Sequence, residues 1–518
     1  PISPRSLSSK FMSPLLPIVT FIALACAIVP SSHAQDQLAG SRPNIVFMLA
    51  DDMGWSQLGF NGGNAELTPN IDKFAKESLR LTQFYTHSVC APTRGAFLTG
   101  RYAFRNWMDW RSEDFGKPSY LKALGLTLAH NERGEPTRRI HALDTEERTI
   151  AEALKEADYN TALVGKWHCG EWLDEHLPMG QGFMHQYGHY AWGIDYYTKT
   201  IQHNAPARFA VYDWHRNQQP LQEEGYATDL FAAEAERVIA AQSKEKPFFL
   251  YVPFNAVHGP LNKTPRYADQ HDVRSAMLKC LDDAVGRILG AVDKHGFRDN
   301  TLVVFTNDNG PVLEEMSKPY RGSKNTTYEG GVRVPCVIRW PGKTKPNASN
   351  DGMMFIADFF STFITLAGGK HEQALPVDAL DATEMLFADK PSSRKEIIFE
   401  VQGSVRVPTI RSGDFKLMGD LLYNIMEDPS EQTNIAAKHP DVVKRLKERL
   451  KEVGAQRPPL GDKPLLMDPP LPTIYGQKEN KNPPAWLTQA VENVRASQPK
   501  EWAPGETPWP QAPPLPTE

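Results

Sequence analysis

Cys90 heads the part of the chain whose residue types and spacing best suit chemistry. Pro92 fits the first turn of a helix, where its missing N–H costs nothing, and Gly100 fits the stop. A helix begun there holds Cys90 at its N-terminus, where free backbone N–H groups and the positive dipole end attract anions. Arg94 follows one helical turn later, so its guanidinium reaches back towards the same spot. A nucleophile position, an anion-binding backbone and a planar cation converge, an arrangement suited to a tetrahedral oxyanion ester. Taken alone, Cys90 reads equally well as a small buried thiol, the commonest fate of a free cysteine.

The elements that must position these groups give Cys90 its company. The apolar run from Asn44 to Ala50 reads as a strand buried on both faces, and it ends in Asp51 and Asp52. The strand Thr161–Val164 leads into Lys166 and His168, two apart and therefore on one side of an extended chain. Pro247–Val252 empties into Asn255 and His258, and Thr301–Thr306 into Asp308 and Asn309. Four predicted strands thus carry acid, amide, base and cation at equivalent ends, the place where ligand-binding groups gather in open α/β sheets. A lone Asp-Asp pair would be a solvated turn, and recurrence at one rim argues otherwise; Lys324, on the Gly-rich loop from Pro319 to Pro335, reads by itself as a solvated lysine.

The remainder supplies the scaffold. Thr149–Ala157 reads as a helix, a Thr68-Pro69 start signal precedes Ile71, Phe74, Ala75 and Leu79 at helical spacing, and Met354–Leu366 is an apolar helix candidate. The fold class is α/β, with a large mixed, mostly parallel sheet flanked by helices over 42–387. A smaller unit over 388–456 has an antiparallel sheet, with strands at 397–401, 405–410 and 415–417, and one amphipathic helix marked by Val442, Val443, Leu446, Leu450 and Val453. The Pro-rich tail over 457–518 reads as neither helix nor central strand, with Trp486, Trp502 and Trp509 as docking points. Aromatic segments 104–115 and 183–215 offer flat faces to a sugar, Trp110 and Trp214 among them, and packing is the equal alternative.

Composition narrows the class. Of 518 residues, 41% are hydrophobic and 23% charged, which is ordinary for a globular protein; the net charge of -5 says nothing of nucleic acid, and with no long basic run no nucleic-acid partner is expected. Residues 1–34 read as a secretory signal, with Arg5 and Lys10, an apolar stretch too short and too interrupted by proline for a transmembrane segment, and Ser32-His33-Ala34 for cleavage. Export to the periplasm or medium follows, and a lipid anchor at Cys26 is disfavoured. Removal of the signal leaves Cys90, Cys169, Cys280 and Cys336, too few for a disulfide-stapled scaffold.

The run Cys90-Ala91-Pro92-Thr93-Arg94 fits C-x-P-x-R. With the blocks at 44–55, 68–101, 160–170, 248–258, 306–310 and 320–335, the chain resembles the type I sulfatases of the alkaline phosphatase superfamily, with the arylsulfatase B (N-acetylgalactosamine-4-sulfatase) branch nearest. The resemblance implies an alkaline phosphatase-like fold, hydrolysis of sulfate esters on a sulfated carbohydrate, and conversion of Cys90 to Cα-formylglycine by a separate maturation enzyme. It places metal ligands at Asp51, Asp52, Asp308 and Asn309, with formylglycine at Cys90. This oxygen set suits Ca²⁺, with Mg²⁺ as the alternative. By the same resemblance Asp308 is the base that forms the nucleophile, Arg94 and Lys166 stabilise the hydrate, and His168 takes the proton in elimination. His258 and Lys324 bind sulfate and protonate the leaving alcohol, either being the acid. Cys169 departs from the family's frequent leucine and reads as a hydrophobic substitute. Two other functions compete: phosphate or phosphonate ester hydrolysis on the same fold, and sulfated-glycan binding without turnover.

Overall fold

The computed structural model describes residues 38–109, 126–130, 136–140, 142–171, 174–200, 212–270, 272–404, 406–458 and 484–497. The predicted secretory segment, with Arg5, Lys10 and Cys26, lies outside the described residues, as do Trp110, Trp502 and Trp509. Among the described residues no helix is long and apolar enough to cross a membrane.

Strand Asn44–Ala50 is buried at every position, as its unbroken apolar run requires, and sits in the middle of a ten-stranded sheet. It pairs in parallel with Phe248–Pro253 on one side and Thr301–Asn307 on the other. Asn160–Lys166 and then His185–His189 extend the parallel core beyond Phe248–Pro253. Antiparallel strands close both flanks: Cys336–Arg339 against Thr301–Asn307, and His215–Arg216 against His185–His189. The predicted strand ends therefore share one edge of one sheet, because parallel pairing brings their carboxyl ends together.

Helix Cys90–Thr99 lies on the face presented by Phe47, whose ring stacks on Phe97 with centroids 4.2 Å apart. Helix Asp358–Ala367 covers the same face through Phe359, 5.1 Å from Phe47, and Phe363, 6.3 Å from Phe249. Phe248 points the opposite way by strand alternation and meets Phe297, just beyond helix Val273–Lys294. Helix Ile150–Glu156 begins in a capping box, with Thr149 Oγ1 accepting from Glu152 N at 3.1 Å and Glu152 accepting from Thr149 N at 2.7 Å. The four-stranded antiparallel sheet over Glu396–Asn424 carries helix Pro440–Gly454, whose Val442, Leu446, Leu450 and Val453 are buried.

Several boundaries differ from expectation. Met354 and Phe355 form a short strand against Phe84 and Tyr85, and the helix starts only at Asp358, whose carboxylate accepts from Phe355 N at 2.9 Å and pairs with Arg394. Helix Pro69–Lys76 stops before Leu79, which opens a sheet strand. The second strand of the small sheet is Thr409–Ser412, after Pro408, since proline cannot donate to the ladder. Most instructive is Ala485–Ser497, a helix inside the Pro-rich tail. Its thirteen residues contain no proline and follow Pro483-Pro484, so the local propensity departs from that of the surrounding tail. Leu487 is fully buried and Trp486 packs edge-on against Tyr212.

Candidate active site

The rim is assembled by backbone before any side chain meets another. Asp51 N donates to Ala256 O at 2.9 Å, Val257 N to Asp51 O at 2.7 Å, and Asp308 N to Ala50 O at 3.1 Å. Asp52 takes a left-handed φ of 57°, which turns the chain and aims two consecutive carboxylates into one space. Asn307, absent from the expected set, secures that turn: its amide accepts from Met53 N at 3.3 Å and donates to Met53 O at 2.7 Å. Gly310 is obligatory for close approach, because a Cβ there would lie 1.9 Å from Gly330 O, on the loop that carries Lys324.

Helix Cys90–Thr99 is buried throughout, and its N-cap, Val89, provides no side-chain cap. Its first N–H groups are thus left for whatever the site binds. Arg94 is wholly enclosed, and its Nη2 donates to Asp51 at 2.9 Å and Asp308 at 2.8 Å, while Nη1 donates to Lys166 O at 2.8 Å. Lys166 Nζ lies 2.5 Å from Asp51 Oδ2. Lys324 Nζ lies 2.7 Å from Asp52 Oδ1 and 3.4 Å from Cys90 Sγ, and that Sγ is 3.4 Å from Asp51 Oδ1. His258 approaches Asp52 at 3.8 Å, and Trp192, half-buried, faces its ring at 6.5 Å between centroids. His168 stands on the turn beyond Lys166 with φ 58°, its N–H donating to Tyr190 O at 2.9 Å. The turn, not strand alternation, therefore sets its direction.

Three carboxylates face three cations here, and burial decides who yields. Burial alone would raise Asp51, but the charges of Lys166, His258, Arg94 and Lys324 hold it far below the usual carboxylate range. Burial and the Asp51 charge push Asp308 up to about 7. Burial, then Lys324 and Lys166, press His258 down to about 3. The Cys90 thiol is driven up by burial and by Asp308 and Asp51, so it is a poor nucleophile as it stands.

Ligand atoms of Asp51, Asp52, Cys90 and Asp308 all lie within 4.8 Å of one another. Asp308 Oδ1 and Asn309 Oδ1 are buried without a hydrogen-bond partner, while Asn309 Nδ2 donates to Asp52 Oδ1 at 2.8 Å. Unpaired buried oxygens beside clustered carboxylates fit a hard divalent cation.

Other expected residues lie elsewhere. Asn255 is buried, its carbonyl accepting from Tyr196 Oη at 2.6 Å and His258 N at 2.9 Å, while its side-chain amide has no hydrogen-bond partner among the described residues. Trp214 belongs to the core and not to a sugar-binding face: it is 0% exposed and stacks on Phe231 at 5.1 Å. Its indole burial outweighs its use as a platform. Cys169 is buried in the hydrophobic core, and all four described cysteines are free.

Residues 43–369 match the family model described as Sulfatase, and residues 322–456 match N-sulphoglucosamine sulphohydrolase, C-terminal. Arylsulfatase G of Rattus norvegicus is 31% identical over 76% of this chain and 78% of its own length. N-acetylgalactosamine-6-sulfatase of the same organism is 31% identical over 71% of this chain and 68% of its own. A solved structure of Ps i-CgsB in complex with k-i-k-neocarrahexaose aligns with a TM-score of 0.68 and 26% identity, covering 80% of this chain and 94% of that one. The chain belongs to the sulfatase family, with the alkaline phosphatase-like fold of type I sulfatases. It is a sulfuric ester hydrolase.

Proposed function

We propose that the protein removes sulfate from a sulfated carbohydrate, using an oxidised Cys90 as nucleophile and a divalent cation, Ca²⁺ by donor set, held by Asp51, Asp52, Asp308 and Asn309. The observation that carries this reading is the cluster of Asp51, Asp52, Asp308 and Cys90 ligand atoms at a helix N-terminus, in which Asp308 Oδ1, like Asn309 Oδ1 next to it in the chain, is buried without a hydrogen-bond partner among the described residues. A bound cation would polarise the ester oxygens and favour ionisation of the nucleophile. The saccharide class rests on the printed names of the relatives and on the hexaose in the aligned structure. The apolar N-terminal stretch adds export, where polymeric substrates are met.

The thiol cannot do this work, because its burial keeps it protonated. As Cα-formylglycine hydrate, residue 90 offers two hydroxyls. One would attack sulfur as the S–O bond to the alcohol breaks, and the alkoxide would take a proton from Lys324, or from His258 if bound sulfate offsets the burial and lysine charges that keep its ring neutral. The second hydroxyl then loses its proton to His168, the C–O bond to sulfate breaks, and the aldehyde returns. Asp308, whose carboxylate lies within 4.8 Å of the residue 90 side chain, accepts the proton in forming the nucleophile. Arg94 and Lys166 hold negative charge on the residue 90 adduct.

The test is direct. Protein produced together with a formylglycine-generating enzyme should yield a Cys90 peptide that carries an aldehyde and reacts with hydrazides. Chelator treatment should abolish sulfate release, and Ca²⁺ or Mg²⁺ should restore it. Cys90→Ala should fold and release no sulfate. Full activity with an intact thiol, or after complete removal of metal, would sink the proposal.

A further inference from the structure

The Lys324 arm of the site is held by a residue of the small C-terminal sheet unit. Arg406 lies between strands Glu396–Glu400 and Thr409–Ser412, far along the chain from every rim residue. Its Nη2 donates to Asn325 Oδ1 at 2.8 Å, and its Nε donates to Asn325 O at 3.2 Å. The guanidinium is oriented from the other side by Glu400, 3.5 Å from Nη1, and both side chains are largely buried, 5% and 7% exposed. Placing a charge there is costly unless several fixed partners receive it, which makes the pairing geometrically demanding.

Asn325 is the neighbour of Lys324 and takes a left-handed φ of 72°, a conformation that asparagine tolerates better than most residues. Its N–H donates to Ser88 O at 2.9 Å, two residues before Cys90, while Lys324 N donates to Pro311 O at 2.7 Å. The turn is thus tied to the nucleophile helix, to the strand end that carries Asp308, and to Arg406. A lysine ammonium on a flexible stem has no preferred direction of its own. Its reach to Asp52 and Cys90 is set by where the backbone of 324 and 325 is pinned.

We infer that Arg406 is a positioning residue that, through Asn325, sets the reach of Lys324 towards the departing alcohol. The inference rests on the role proposed above for Lys324 in assisting the leaving group. A misplacement of about 1 Å costs up to about a hundredfold where a group must meet the reacting atom. The cost falls selectively on alcohols that need help to leave, because a good leaving group departs without a proton.

The experiment compares the matured enzyme with Arg406→Met, Lys324→Met and the double variant on 4-nitrophenyl, 4-chlorophenyl and phenyl sulfates. The readout is the slope of log kcat/KM against leaving-group pKa. Arg406→Met should lose about threefold on 4-nitrophenyl sulfate and about thirtyfold on phenyl sulfate, giving a steeper slope. Lys324→Met should steepen it further, and the double variant should match Lys324→Met, since the two act through one group. Arg406→Lys should recover part of the slope. If Arg406→Met does not fold, Asn325→Gly, which removes the Oδ1 acceptor and keeps the left-handed turn, is judged by the same slope. A parallel line for the Arg406 or Asn325 variant, with a steeper one for Lys324→Met, would overturn this inference alone. A parallel line for Lys324→Met would remove the leaving-group role of Lys324 and the inference with it.

Discussion

The rim around Cys90 and a second knot of charge around Glu329 are both buried, both rich in acids and both answered by cations, yet only one has the makings of a site. At the second, Lys416 Nζ lies 3.0 Å from Glu329 Oε1 and 2.9 Å from Glu431 Oε1, with all three side chains 0% exposed. Tyr85 Oη donates to Glu329 Oε2 at 2.7 Å, and Glu329 N donates to Glu431 Oε2 at 2.6 Å. Each carboxylate oxygen there faces a protein donor or cation, Glu431 Oε1 through its ion pair with Lys416 alone, and the cluster fastens the small sheet to the loop behind Lys324. At the rim, one oxygen each of Asp308 and Asn309 has none, and a helix N-terminus faces the same space. Buried charge alone therefore does not mark a site. Buried charge left incompletely satisfied does, because its remaining valence belongs to something that binds.

The largest effect should come from breaking the rim without breaking the fold. Asp308→Asn keeps an acceptor for Arg94 but removes a charge that already sits uneasily beside Asp51. Sulfate release should fall by about 10³-fold or more, while the metal-free protein should melt no lower than the parent. A parallel drop in melting temperature would mean that Asp308 is held by structure as Glu329 is, and the contrast would fail.

The complementary change is Lys416→Met, which removes the cation shared by Glu329 and Glu431, leaving Glu431 with none and Glu329 with Arg333 and Arg411 at its other oxygen. It should cost about 3–5 kcal/mol in urea unfolding, while kcat per folded molecule changes far less than in Asp308→Asn. Activity loss without a stability loss would show that the second knot also serves turnover.

How much of this was legible follows from how each group is held. The rim residues sit at the ends of buried apolar strands, so Asp51, Lys166, His258 and Asp308 could be read from runs such as Ile45–Ala50 and Leu302–Thr306. Parallel pairing does the rest. Lys324 was legible only through the resemblance, since its place depends on Asn325 and Arg406, which are ordinary polar residues in loops. The Glu329, Lys416 and Glu431 knot was invisible for the same reason: nothing local distinguishes a lysine in a short strand that will be paired inside from one that faces water. Trp214 shows the converse, since an aromatic residue in a polar stretch reads as a platform until the sheet closes over it. In the tail, average composition hid a short proline-free segment.

The smallest of these effects concerns His87, which links the two regions, three residues before Cys90 and against the small sheet. Its Nδ1 lies 3.1 Å from Phe399 O, and its Nε2 accepts from Ala103 N at 3.4 Å, so the two bonds define a neutral ring with the proton on Nδ1. Burial pushes the imidazole down from 6.5 to about 4. The unfolded chain therefore binds a proton that the folded chain refuses. The contribution of the neutral ring is complete above pH 6.5 and is lost as pH falls through about 4. A gap of that size corresponds to something on the order of 3 kcal/mol. Against His87→Gln, which cannot titrate, the parent should lose about that much more unfolding free energy between pH 7 and pH 4. Urea unfolding of both proteins across that range measures the difference. Identical pH profiles would mean that the ring is charged or solvated in the folded state, and that the seam between helix Cys90–Thr99 and the small sheet is looser than the rim and the knot on either side of it.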